Sequence, residues 1–72
     1  MLTATFLRKV ERLDGDGLEA LRRELIRRQE AARTRFARTR SPKDGESYLR
    51  RGHELGEVRS RLRRMDGEGA RT

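Results

Sequence analysis

The sequence predicts an all-helical fold in which two long helices form an antiparallel hairpin and a short helix precedes them. Apolar residues recur every three or four positions, two short breaks interrupt them, and the second break is very short. So short a connection makes its two helices antiparallel neighbours. We expect helices at about 2–13, 17–39 and 42–65 within one domain at 1–66, followed by a disordered tail at 67–72.

The first segment carries one apolar stripe at helical spacing, formed by Leu2, Phe6, Val10 and Leu13. A strand is the alternative, because apolar and polar residues alternate as far as Phe6, but Leu7 breaks that alternation. A strand here would fit a ribbon-helix-helix DNA-binding protein, with Thr3, Thr5 and Arg8 as its base contacts. Because the two following helices are too long for that architecture, the helix is favoured.

The first break, residues 14–17, alternates aspartate with glycine, a composition that favours a turn. We expect Asp16 to cap the second helix, with Glu19 three residues later completing a capping-box-like pattern. The apolar stripe of this helix, weakest at Gln29, consists of Leu18, Leu21, Leu25, Ala32 and Phe36.

The third helix is expected to start at the second break, with Ser41 as its cap and Pro42 as its first residue. The alternative is a longer turn, with the helix starting near Glu46. Its stripe has the near-heptad spacing of a coiled coil, interrupted at Arg51, and consists of Tyr48, Leu55, Val58, Leu62 and Met65. Four acid–arginine pairs four residues apart support the two long helices: Glu19–Arg23, Glu24–Arg28, Glu46–Arg50 and Glu57–Arg61.

The small apolar content predicts self-association. Only 32% of the 72 residues are apolar, and no cysteine is present to form a disulfide, so a single core supplies only ~3–5 kcal/mol. Ile26 and Leu49 lie outside the stripes, and Gly52 and Gly56 form a small pair one turn apart that suits close backbone packing. We therefore expect a homodimeric four-helix bundle, with a three-helix monomer as the alternative. The expected partner or dimer interface is Leu21, Leu25, Ile26, Phe36, Tyr48, Leu49, Leu55, Val58 and Leu62.

The net charge of +7 predicts a polyanionic partner, either nucleic acid or an acidic protein surface. All but two of the 19 basic residues are arginine, whose planar fork suits phosphate. The arginine-dense ends of the two long helices lie together in an antiparallel hairpin. We expect a face that binds nucleic acid with little sequence preference through Arg22, Arg23, Arg27, Arg28, Arg38, Arg59, Arg61, Arg63 and Arg64.

The alternative function is a helical adaptor or regulatory subunit for another protein. It uses Ile26 and Leu49 as a docking surface, with Arg51 seeking a carboxylate from the partner. So short and basic a chain would suit a phage or mobile-element origin.

Catalysis, metal binding and membrane insertion have little support in the sequence. His53, with Glu54 and Glu57 nearby, resembles part of a zinc-enzyme HExxH motif but lacks the second histidine. We expect no enzyme activity, no cofactor and no metal. No apolar run is long enough to span a membrane, and the absence of cysteine fits a cytoplasmic location.

Overall fold

The computed structural model describes residues 2–70, and of residues 67–70 the backbone only. The chain forms three helices, α1 (Ala4–Glu11), α2 (Gly15–Thr39) and α3 (Pro42–Ala70), and residues 2–70 contain no strand. The all-helical fold is confirmed, and the strand alternative for the first segment is wrong. Helix α3 extends to Ala70, beyond its expected end at 65, so the backbone of residues 67–70 of the expected disordered tail is helical. Residues 71–72 of that tail lie outside the described residues.

Helix α1 begins where Thr3 caps it. The Thr3 hydroxyl oxygen accepts a hydrogen bond from the backbone N–H of Phe6 at 3.1 Å, which satisfies one of the donors that a helix start leaves free. Thr3 therefore fixes a helix end and is not a strand contact to DNA. The helix buries Phe6 and Val10, four residues apart on one face.

Helix α2 begins two residues earlier than expected, and its cap is Asp14 instead of Asp16. Oδ1 of Asp14 accepts from the backbone N–H of Gly17 at 2.8 Å. The physical reason is the leucine on each side of this cap. Leu13 precedes it and Leu18 lies four residues into the helix, the two positions that close a hydrophobic staple. Both leucines belong to or pack against the core.

The α2–α3 turn consists of Arg40 and Ser41. Arg40 takes the left-handed conformation (φ 55°, ψ 21°), and its N–H donates to the carbonyl of Phe36 at 2.8 Å. The Thr39 hydroxyl accepts from the N–H of Ser41 at 3.2 Å and donates to Asp44. The expected start of α3 at Pro42 is confirmed, and the alternative start near Glu46 is wrong.

Three contacts set the register of the two long helices. A Cβ atom placed on Gly15 would lie 3.9 Å from Cε of Met65, one on Gly52 3.2 Å from Nε2 of Gln29, and one on Gly45 3.2 Å from Cε1 of Phe36. The residue numbers of these positions increase along α2 (15, 29, 36) while those of their neighbours decrease along α3 (65, 52, 45). The two helices are therefore antiparallel, as predicted. α2 packs against α3 along this register.

We expected Gly52 and Gly56 to allow another backbone segment to pack closely against α3. Within this chain that expectation is wrong. Gly52 faces the side chain of Gln29, and a Cβ placed on Gly56 would meet no atom within 4 Å. Because Gly56 has no side chain, it leaves a shallow solvent-exposed depression on the surface of α3.

The hydrophobic core occupies the half of the hairpin that lies away from the turn. Its six buried members come from all three helices: Phe6, Val10, Leu18, Leu25, Leu55 and Val58. Helix α1 therefore packs against one side of this half of the hairpin. Near the turn, by contrast, Phe36 and Tyr48 are only partly buried and Leu49 is 61% exposed.

Replacing Phe6 by alanine is expected to detach α1 and destabilise the whole chain. Truncating a buried phenylalanine costs ~3–5 kcal/mol, which equals the whole contribution of a core this small. Circular dichroism and urea unfolding should show a lower midpoint or lost helicity. Leu7→Ala is the control, because Leu7 lies on the same helix outside the core cluster. Equal losses in both variants would contradict this account of the core.

Candidate nucleic-acid interface

The antiparallel hairpin brings eight of the nine predicted arginines into one half of the molecule. Those on α2 lie between its second turn and its midpoint, and those on α3 lie towards its C-terminal end. The register places these two stretches side by side. Arg38 lies apart from them, close to the turn. The predicted set is therefore one group of eight with a distant ninth member.

Five of these nine arginines form ion pairs with glutamates of their own helix. Glu19 accepts from Arg22 at 2.9 Å, and Glu57 accepts from Arg61 at 2.9 Å with Arg64 at 4.0 Å. Glu24 holds both Arg27 and Arg28. Two of the four predicted pairs, Glu24–Arg28 and Glu57–Arg61, are confirmed. Glu19 pairs with Arg22 in place of Arg23, and Glu46–Arg50 is not among the ion pairs of the described side chains.

Glu24 is held in its charged form by its two arginines. Hydrogen bonds from Arg27 and then Arg28 lower the pKa of this carboxyl from its ordinary value of 4.5. Because protonation is less favourable in the folded chain, this stabilisation is complete above the unfolded pKa. It is lost as pH falls through the lowered pKa. At neutral pH, Glu24 therefore offsets much of the positive charge beside it.

A different set of cations has no carboxylate within 4.0 Å among the described side chains, and every member is exposed. This set is Arg8, Lys9, Arg12, Arg23, Arg35, Arg38, Arg40, Lys43, Arg50, Arg59 and Arg63. Only four of the nine predicted arginines belong to it, so the uncompensated charge lies mostly elsewhere.

Helix α1 contributes three of these cations along one side. A hollow of about 460 Å³ is lined by Thr5, Arg8, Lys9, Arg12 and Leu13. Thr5 and Lys9 also line the neighbouring crevice between α1 and the hairpin, which Arg28, Arg51 and Glu54 complete. The two depressions are therefore neighbours that share Thr5 and Lys9.

The side of the hairpin that carries α1 continues towards the turn with further cations. Arg35 lies two helical turns after Arg28 of that crevice, and Arg50 lies one turn before Glu54. Arg38 lies one turn after Arg35, and Lys43 lies two turns before Arg50. We name this surface the basic face and define it as Arg8, Lys9, Arg12, Arg35, Arg38, Lys43 and Arg50.

Of these seven residues only Arg38 belongs to the predicted nucleic-acid-binding set, because the prediction favoured the arginine-dense ends of the long helices and did not know where α1 docks. A usable signal was present nonetheless. Residues 1–10 and 31–43 contain no aspartate or glutamate, so their cations have few carboxylates at the three- and four-residue spacings where helical ion pairs form.

The predicted partner interface is largely occupied by the chain's own core. Leu25, Leu55 and Val58 are buried in the core, and Leu21, Ile26 and Leu62 pack against it. Phe36 and Tyr48 are partly buried, which leaves Leu49 as the one member with a mostly exposed side chain.

Arg51 does not need a carboxylate from a partner. Its Nη1 donates to Oε1 of Glu54, one turn later on α3, at 2.8 Å. Glu54 is buried, so this pair also satisfies a carboxylate that would otherwise be costly to bury. The adaptor hypothesis therefore keeps only Leu49 of its three supporting residues.

The described residues include no group of three histidine, cysteine, aspartate or glutamate side chains placed to hold a metal ion. None of the helices described here is long and apolar enough to cross a membrane. Comparison with protein-family models, with curated proteins and with solved structures found no match.

Replacing Arg51 by methionine is expected to destabilise the chain by ~1–3 kcal/mol, because the buried Glu54 carboxylate loses its donor while the apolar stem is kept. Arg33→Met is the matched control, since Arg33 and Glu30 form an exposed pair at 3.8 Å that contributes less than ~1 kcal/mol. Urea unfolding of both variants measures the difference. If Arg51→Met were no more destabilising than Arg33→Met, the Arg51–Glu54 pair would not be needed to satisfy Glu54.

Proposed function

We propose that this chain is a small non-enzymatic protein that binds nucleic acid through its phosphate backbone, with little sequence preference. One observation carries the proposal. Seven exposed cations, none paired with a described carboxylate, lie along the side of the molecule that bears α1. The planar guanidinium of arginine forms bidentate hydrogen bonds with phosphate. A nucleic acid presents phosphates at regular spacing, so it can contact several of these cations at once.

The dimensions of the chain suit several contacts at once. Its longest axis extends 49 Å, which corresponds to about 14 base pairs at ~3.4 Å of helix rise. Each cation that replaces a counterion on B-DNA lowers the slope of log affinity against log salt by about 0.9. Seven contacts would give a slope of about −6, so binding should weaken steeply as salt rises.

The aromatic residues support contacts to phosphate over contacts to bases. The chain has only three aromatics. Phe6 is in the core, and Phe36 and Tyr48 are partly buried. None is a mostly exposed platform of the kind on which proteins stack single-stranded bases. A duplex, whose phosphates line its outside, is the better fit.

Two further features belong to this proposal. We propose that the chain works as a homodimer forming a four-helix bundle, because its core is small and Leu49 remains exposed on one chain. We also propose a cytoplasmic location, which the lack of cysteine supports.

A pair of triple variants tests the proposed surface. Arg12, Arg35 and Arg50 replaced by alanine removes one basic-face cation from each helix. Arg22, Arg27 and Arg61 replaced by alanine removes three ion-paired arginines. Each variant therefore loses three positive charges from the formal net charge of +7. Fluorescence anisotropy with labelled duplex DNA and duplex RNA, at low salt and near ~0.15 M, measures affinity and salt slope.

The basic-face variant should lose ~10–100-fold in affinity near physiological salt, with a slope smaller by about 3. The ion-paired variant should keep most of its affinity. Equal losses would mean that net charge alone governs binding. Wild-type binding only at low salt would remove the support for a nucleic-acid function and favour a protein partner.

A further inference from the structure

The crevice between α1 and the hairpin brings together one cation from each of the three helices. Its volume is about 230 Å³, and its lining includes Lys9 of α1, Arg28 of α2 and Arg51 of α3. Thr3 and Thr5, at the start of α1, line the same crevice and add two hydroxyl groups. We name this depression the interhelix crevice. It combines positive charge with hydrogen-bond donors where α1 meets the two long helices.

We infer that the interhelix crevice binds one phosphate group of a phosphorylated ligand. A phosphate monoester carries a charge of about −1.5 to −2 near neutral pH and presents three strong acceptor oxygens, whereas a carboxylate presents two. Cations that approach from three helices therefore match a phosphate better than a carboxylate. The crevice is also large enough, since one water molecule in the liquid occupies only ~30 Å³.

The ion pairs of the two arginines leave donors for a ligand. Arg28 donates through Nε to Oε1 of Glu24 at 3.0 Å, and Arg51 donates through Nη1 to Oε1 of Glu54 at 2.8 Å. Because a guanidinium carries five N–H donors, each arginine keeps donors for a second acceptor. Lys9 is exposed and has no carboxylate within 4.0 Å among the described side chains. Its ammonium therefore supplies a point charge for the phosphate.

The formal charge of the lining is opposite to that of the ligand and similar in size. Three cations and the Glu54 carboxylate give a balance of +2, against about −1.5 to −2 for a phosphate monoester. Glu54 is buried and accepts a hydrogen bond from Arg51, so much of its repulsion of an anion is compensated. Glu24, which holds Arg28, does not line the crevice.

A phosphate in this crevice would link α1 to the hairpin. The Thr3 oxygen accepts from the N–H of Phe6, which leaves its hydroxyl proton to donate to a ligand, and Thr5 is exposed beside it. These groups and Lys9 belong to the α1 side, whereas both arginines belong to the hairpin. Because α1 has only eight residues and so short a helix is marginal alone, a ligand bound to both parts would stabilise its docked position.

Amide NMR spectra of the full chain test the site, with inorganic phosphate titrated against sodium chloride at equal ionic strength. The amide signals of Thr5, Lys9, Arg28 and Arg51 should shift together and saturate with one dissociation constant in the millimolar range. Hydrogen exchange of the α1 amides should be slower in phosphate than in chloride, because the ligand contacts both α1 and the hairpin.

Two substitutions with matched controls locate the bound phosphate. Lys9→Gln and Arg28→Gln each remove an exposed cation of the lining, and each should weaken phosphate binding by roughly three- to fivefold. The double variant should lose about tenfold and keep its helicity by circular dichroism. Arg8→Gln and Arg23→Gln remove exposed cations of the same two helices outside the lining, so they should change the affinity by less than about twofold.

The phosphate can belong to a nucleic-acid backbone or to a small phosphorylated molecule, and duplex DNA distinguishes the two sources. If the duplex shifts the amides of Thr5, Arg28 and Arg51 and inorganic phosphate competes with it, the backbone is the source. If the duplex leaves these amides unchanged while inorganic phosphate shifts them, the ligand is a small phosphorylated molecule. Both results support a phosphate site in the crevice.

Three results would overturn the inference: shifts that do not saturate, shifts of equal size at amides far from the crevice, or a double variant that binds phosphate as tightly as wild type. The interhelix crevice shares only Lys9 with the basic face. The triple variant of Arg12, Arg35 and Arg50 should therefore bind inorganic phosphate as wild type does, and the two proposals fail separately.

Discussion

The burial of Phe6 and Val10 against the half of the hairpin away from the turn is the contact on which the rest of the structure depends. In a hairpin of two helices, Leu25 and Val58 would contact only the apolar residues of the facing helix. Here both are almost fully buried, because they also belong to one cluster with Phe6 and Val10 of α1. The same contact fixes where the cations of α1 lie. Packing and surface charge are thus coupled, since the helix that completes the core also carries part of the basic face.

Ion pairing within each long helix divides the positive charge into two kinds. Glu24 and Glu57 each hold two arginines, so the arginine-dense half of the hairpin is partly neutralised. Eight of the eleven cations without a described carboxylate partner lie on or directly after α1 or towards the turn. The other three are Arg23, Arg59 and Arg63.

Much of the fold could be predicted from the sequence because helical periodicity and proline are local signals. The start of α3 at Pro42 and the antiparallel hairpin follow from them. The N-terminal cap of α2 could not be chosen this way, since Asp14 and Asp16 are equally good caps and the leucine staple decides between them. The basic face also could not be predicted from the sequence, because its position depends on which side of the hairpin α1 packs against. Arg51 was misinterpreted because a three-residue spacing to Glu54 was not considered.

The concentration of buried residues in one half of the hairpin gives the molecule two regions of unequal rigidity. Backbone amides near Leu25 and Val58 are shielded by the six-residue core, whereas those near the turn rest on partly buried aromatics and the two-residue link. Local opening therefore starts at the turn and stops where α1 begins. If the chain binds a polyanion as proposed, Arg35, Arg38 and Lys43 then belong to the less tightly packed end of the basic face.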